Sequence, residues 1–325
     1  VTPTNEPTED AADVFRQPSE RGAPADPDFR PWSGSTRERD ELPIASAART
    51  AAALRSGLLP RLPRPPHRRI MVVANQKGGV GKTTTTVNVA AALALQGLSA
   101  LVIDLDPQGN ASTALDVPHH EGVSSVYDVL VEDAEISAVV HPVPGVPNLF
   151  CIPATIDLAG AEIDLVPLEA REFRLARAIR ADPTEQFDYV FIDCPPSLGL
   201  LTLNALVAAD EALIPVQCEY YALEGLSQLL QTIEMVRTRL NPALEISTIL
   251  LTMYDGRTKL AEQVAQEVRR HFGPRVLRTF IPRSVRVSEA PSHGQTVLTY
   301  DPASPGALSY LEAGREIARA VRPST

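Results

Sequence analysis

A chain of 325 residues with 44% apolar and 22% charged residues is long enough for one large α/β domain with an extension, or for two small domains. Its formal net charge of −10 and isoelectric point near 5.2 exclude a protein coated in positive charge, while leaving room for a local basic patch. Cys151, Cys194 and Cys218 have no metal-ligand spacing, no apolar run reaches membrane-spanning length, and no basic-then-apolar signal opens the chain. Composition therefore predicts a soluble, intracellular protein with structural thiols.

Residues 1–68 are rich in proline, arginine, aspartate and alanine and contain no strand-like run, which predicts a disordered tail. Within it, Ile44 to Leu59 has the composition of a short helix that forms on docking, either to the domain or to a partner, or else serves as plain linker. Pro60, Pro63, Pro65 and Pro66 end that stretch and stiffen the approach to the first strand.

From Arg69 apolar runs and helical patterns alternate. Ile70–Ala74 reads as a buried strand, after which the chain bends through Gly78, Gly79 and Gly81 before Lys82 and Thr83 open an alanine-rich helix ending near Gln96. This is a phosphate-binding loop in its expected context. Its glycines let backbone N–H groups of Gly78, Gly79, Val80, Gly81, Lys82, Thr83 and Thr84 turn inward, and the helix adds its free donors and positive dipole end. Lys82 would reach the terminal phosphates and the Thr83 hydroxyl a magnesium ion. Lys77, at the mouth of the same loop, is a second lysine in a chain whose only other one outside the loop is Lys259.

The second strand, Leu101-Val-Ile-Asp-Leu-Asp106, ends in carboxylates. Asp104 and Asp106 fall on one side of it, at the end where open sheets bind ligands, and burying such charge requires a metal, a water or the loop lysines as partners. Leu149–Pro153 reads as a short strand, and 155–180 as a helical region broken at Pro167. Asp188-Tyr-Val-Phe-Ile-Asp193 is an apolar strand with a carboxylate at its tip, placed to hold magnesium directly or through water. Strands over 211–216, 244–251 and 276–281 alternate with helices over 223–239 and 260–272, and a last helix over 307–321 carries a core-facing stripe. The pattern predicts an α/β P-loop NTPase whose mostly parallel twisted sheet has helices on both faces. Thr252-Met-Tyr-Asp255 stands where guanine-specific proteins carry Asn-Lys-x-Asp, which favours adenine; Met253, Tyr254 and the Pro282–Arg283 loop are candidates for its pocket. Arginines from Arg257 to Arg286 concentrate positive charge that either contacts a phosphate backbone or forms a solvated face balanced by Glu262, Glu267 and Glu289.

Taken together, Lys77-Gly-Gly-Val-Gly-Lys-Thr-Thr84, Asp104-Leu-Asp-Pro-Gln-Gly-Asn110, Phe191-Ile-Asp-Cys-Pro-Pro196 and Ser288-Glu-Ala-Pro-Ser-His-Gly294 resemble the ParA/Soj family of partitioning ATPases, in the deviant Walker A group that includes MinD. The resemblance covers about 69–321, making 69–325 one ParA-like ATPase domain. It implies hydrolysis of ATP with Mg2+ by a homodimer closed on two nucleotides. In that arrangement Lys77 of each subunit acts on the phosphates bound by the other, Gly78 lies in the contact between loops, Asp106 positions the attacking water, and Asp104 and Asp193 organise the switch and magnesium shell with Thr83. It further implies nonspecific binding of double-stranded DNA by the ATP dimer, with Arg286 and then Arg257 as contacts. A ParB-like centromere-binding protein would stimulate hydrolysis and release, giving a cytoplasmic, nucleoid-associated protein without a membrane partner. A MinD-like or cargo-positioning ATPase would share the same nucleotide site.

Overall fold

The computed structural model describes residues 44–181, 186–219 and 224–320, all within the unit spanning 42–325. Expectations for 1–43 and for the far end of the last helix lie outside the described residues. Eight strands form one sheet: β1 (Arg69–Val73), β2 (Ala100–Asp104), β3 (His141–Pro142), β4 (Leu149–Ile152), β5 (Tyr189–Asp193), β6 (Glu211–Gln217), β7 (Glu245–Tyr254) and β8 (Val276–Pro282). Their order is β3-β4-β2-β5-β1-β6-β7-β8, and every pairing is parallel except the short β3 against β4.

Why the central strands are continuous apolar runs follows from their two covered faces. Ile70 and Val72 of β1, Leu101 and Ile103 of β2, and Val190 and Ile192 of β5 enter one core layer, under the helices Leu158–Asp164, Arg174–Ala181, Leu200–Ala208, Glu224–Arg239 and Lys259–Phe272. Alternate residues, Met71, Val73, Ala100, Val102, Tyr189 and Phe191, enter the other, under the helices Lys82–Ala94 and Pro305–Arg319. Parallel connections carry the chain from β1 to one side and then back across to β6, so the carboxyl ends of β1, β2 and β5 meet at a topological switch point.

The helix Lys82–Ala94 lies close to its neighbours because its residues are small. A Cβ added to Gly314 of the C-terminal helix would stand 3.0 Å from Ala92 Cβ, so glycine there sets the approach of the two helices. At the other end of β1, Arg69 is buried and bidentate to Glu211 on β6, at 2.7 and 2.6 Å, and it donates to the Ile317 carbonyl at 2.6 Å. One guanidinium thereby ties two strands to the last helix.

The helix foreseen in the tail forms over Ile44–Ser56 and packs on the C-terminal layer, burying Ala51 and Leu54, with Leu59 following. Packing against the domain therefore begins before Arg69. The region 155–180 resolves into Leu158–Asp164, a 3-10 turn at Arg171–Phe173 and Arg174–Ala181, so the interruption spans more than Pro167. No helix among the described residues is long and apolar enough to cross a membrane.

Candidate active site

The loop after β1 is built by backbone sign and by three hydrogen bonds from two side chains. Gly79 and Gly81 have φ of 74° and 90°, a region closed to most side chains, and a Cβ on either would meet no atom within 4 Å. Open space inside the bend is what a phosphate cradle requires. Asn75 donates to the Pro215 carbonyl at 2.8 Å while accepting from the Lys77 N–H at 3.0 Å, and Thr252 on β7 donates to the Val80 carbonyl at 2.8 Å. Three strands thus hold the loop before any ligand arrives.

The two loop lysines occupy different environments. Lys82, the first residue of its helix, is 7% exposed, and burial lowers its pKa against the opposing pull of Asp193, Cys194 and Asp106. Lys77 keeps about a third of its side chain exposed, at 32%, and its ammonium lies 3.4 Å from Glu219 Oε2. Glu219 also accepts from Gln217 and, at 3.3 Å, from Arg283.

Asp104 and Asp193 are adjacent register partners on β2 and β5, both fully buried. Asp104 spends Oδ2 on the Ser112 N–H and hydroxyl, at 2.9 and 2.7 Å, and Oδ1 on the Asp106 N–H at 3.2 Å. It therefore shapes the turn that carries Asp106, itself 8% exposed and accepting from the Gln108 N–H at 3.1 Å. Asp193 Oδ1 accepts from the Thr86 hydroxyl at 2.9 Å, whereas Oδ2 is buried with no hydrogen-bond partner. Burial, and then the neighbouring charge of Asp104, raises the Asp193 pKa, with the Thr83 and Thr86 hydroxyls opposing; burial also raises that of Asp104. An orphaned oxygen on a carboxylate beside Thr83 fits a cation at this position. No group of three or more His, Cys, Asp and Glu among the described residues could hold a metal by itself, so most of its ligands would be phosphate oxygens and water.

Met253 sits with φ of 50° at the end of β7, and Tyr254 pairs in register with Pro282 of β8. The Tyr254 ring, grouped with these residues by sequence, is buried and packs on Phe280 with centroids 4.2 Å apart. The two arginines singled out for DNA are exposed but partnered. Arg257 is bidentate to Asp255 at 2.9 and 2.8 Å, holding that carboxyl down at about 2, and Arg286 lies 3.1 Å from Glu289 and 3.6 Å from Asp301.

Sequence reasoning found the carboxylates and lysines and missed Asn75, Thr86, Ser112, Glu219 and Thr252. Each of these is an ordinary polar residue whose role comes from a contact with another strand or turn. Thr252 alone carried a signal, a hydroxyl at the inner end of an apolar run.

Residues 68–246 match a family model described as an AAA domain. The sporulation initiation inhibitor protein Soj of Bacillus subtilis is 54% identical over 250 residues, 77% of this chain and 98% of that protein. The chromosome partitioning protein ParA of Myxococcus xanthus is 51% identical, over 79% of this chain and 90% of its own. Among solved structures, a cobyrinic acid a,c-diamide synthase from Mycobacterium smegmatis with bound ADP and magnesium superposes with a TM-score of 0.67 at 40% identity, over 78% of this chain and 94% of that one. The septum site-determining protein MinD of Pyrococcus horikoshii, complexed with Mg-ADP, gives 0.63 at 25% identity, over 78% and 96%.

Proposed function

The chain belongs to the ParA/Soj family of chromosome-partitioning ATPases, and from that premise we propose a cycle in which ATP closes two copies into a DNA-binding dimer and hydrolysis opens it. The observation that carries this reading is the division of labour between two lysines of one loop. Lys82 is buried, whereas Lys77 keeps about a third of its side chain exposed at the loop mouth, 3.4 Å from Glu219.

ATP is the substrate, cradled by the backbone of Gly78 to Thr84 with Lys82 on its terminal phosphates. Thr83 and Asp193, together with the phosphates, would hold the magnesium ion, which would supply neutralisation of phosphate charge. Asp106 orients a water whose oxygen attacks the γ-phosphorus as the bond to the β–γ bridging oxygen breaks, leaving ADP and inorganic phosphate. Lys77 of the partner subunit, released from Glu219, donates to the charge developing on that bridge and on the transferred group. Met253 and Pro282 flank the adenine. The ATP dimer contacts the backbone of double-stranded DNA nonspecifically through Arg286 and Arg257, and a ParB-like centromere-binding protein stimulates turnover and release. That cycle places the protein on the nucleoid. The C-terminal helix supports DNA over a membrane surface as the partner, since Leu308, Leu311 and Ile317 are buried on the core.

The test is duplex-DNA affinity with ATP against ADP over a range of salt, with the monomer–dimer equilibrium measured in parallel. Binding that needs ATP, weakens steeply with salt and falls in Arg286→Glu is expected. Equal affinity with the two nucleotides, or ATP-bound protein that stays monomeric, would contradict the reading.

A further inference from the structure

The stretch from residue 44 to 68 contains Arg49, Arg55, Arg61, Arg64 and Arg68 and no aspartate or glutamate, in a chain whose net charge is −10. The matched family model begins at residue 68, so this basic run precedes the shared core. It is nevertheless fixed to that core. Ala51, Leu54 and Leu59 are buried, the Leu62 N–H donates to the Gln96 carbonyl at 3.0 Å, and Gln96 is braced by Arg315 Nε at 2.8 Å.

Two of the five arginines have partners on the core: Arg68 donates to the Ile179 carbonyl at 2.8 Å, and Arg64, itself exposed, lies 3.7 Å from Asp188. The other three are exposed without such a partner among the described residues. Arg49 and Arg55 project from the helix, and Arg61 lays its stem against Gly97, which turns its guanidinium toward water. Among the described residues no carboxylate lies within salt-bridge range of Arg49, Arg55 or Arg61. Arg257 and Arg286, by contrast, are each engaged by acids of their own neighbourhood. The helix Ile44–Ser56 packs on the helices Val297–Tyr300 and Pro305–Arg319, and Val285–Glu289, which carries Arg286, packs on the same two.

We propose that the segment Ile44–Arg68 is a second contact surface for the phosphate backbone of double-stranded DNA, presented on the layer that carries Arg286. The inference rests on the reading that the ATP form binds DNA, and adds to it a site outside the family core. Free guanidinium groups on a docked scaffold gain counterion release from a polyanion without the cost of ordering the arm at the moment of binding. A lipid surface fits less well, because Ala51 and Leu54 of the helix are used in docking and, among the described side chains of the segment, Leu58 is the large apolar one left exposed.

The experiment compares the full-length protein with the triple variant Arg49→Gln/Arg55→Gln/Arg61→Gln, and with the same three positions changed to Lys. Duplex DNA affinity is measured with ATP between about 50 and 200 mM salt. The Gln variant is expected to bind more weakly, with the slope of log K against log salt flattened by about two to three. The Lys variant should recover most of that slope, and ATP-dependent dimerisation and DNA-free hydrolysis should match the parent in both. A Gln variant with the parent's affinity and slope would overturn the proposal while leaving ATP-dependent DNA binding standing. A parent that does not bind DNA with ATP would overturn both. Loss of binding to phosphatidylglycerol vesicles in the Gln variant, with DNA affinity intact, would overturn it in favour of a membrane surface.

Discussion

Lys77 and Lys82 stand five positions apart in one loop and differ in what surrounds them. Lys82 has carboxylates within electrostatic reach and little water, as suits a group that holds phosphate charge in its own subunit. Replacing it with alanine is expected to remove ATP binding, read by fluorescent-nucleotide titration. Lys77→Ala should leave that titration nearly unchanged and lower partner-stimulated hydrolysis by about 10²–10³-fold, the range seen when one donor to a developing charge is deleted. Lost nucleotide affinity in Lys77→Ala would mean that it serves the resting site instead. At the opposite end of β1, the Arg69–Glu211 pair is buried and bidentate. Glu211→Ala strands a guanidinium in the core and should destabilise the fold by about 3–5 kcal/mol in urea denaturation. A loss below about 1 kcal/mol, the ordinary worth of an exposed pair, would show that water reaches the charge. The site residues legible in the sequence were those with a strong local pattern, glycines before a lysine or a carboxylate ending an apolar run. Glu219 and Thr86 were not, because their partners stand 142 and 107 positions away.

Among the elements, the central strands were legible because burial on both faces writes an unbroken apolar run, and that run fixes them whatever lies between. The helix Ile44–Ser56 was legible as a possibility, since alanine and leucine at helical spacing give it one face to bury. Less was visible where elements are too short for a period. The five-residue helix Asn110–Ala114 starts from Gly109 at φ 62°, and β3 has two residues, so neither repeats a pattern long enough to read. The turns over 285–300 are set by tertiary caps such as Asn88 accepting from the Val297 N–H at 2.8 Å, a contact no local spacing announces. Helix approach is likewise a tertiary fact. Gly314→Leu should force the C-terminal helix away from Ala92 at a cost of about 1–3 kcal/mol, measured as a lowered denaturant midpoint. An unchanged midpoint would mean that the two helices separate freely.

At the scale of the whole molecule, one sheet divides the protein into two core layers, and the edge where β1, β2 and β5 end collects the loop, Asp104 and Asp193. Resemblance to a known family supplied the expectation, which no residue pattern states by itself, that the catalytic unit is two copies. In the single chain Lys77 pairs with Glu219 at 3.4 Å, and on the proposed cycle that contact is given up when the lysine crosses to a second copy. Complementation between two defective proteins tests the arrangement most directly. Lys77→Ala retains Asp106, and Asp106→Ala retains Lys77, so a mixed dimer holds one complete site only if the lysine crosses the interface. Each variant alone should be nearly inactive in steady-state ATP hydrolysis with the partner protein and DNA present, and a one-to-one mixture should recover a clear fraction of the parent rate. A mixture as inactive as its components, while mixed dimers demonstrably form, would contradict a lysine acting across subunits.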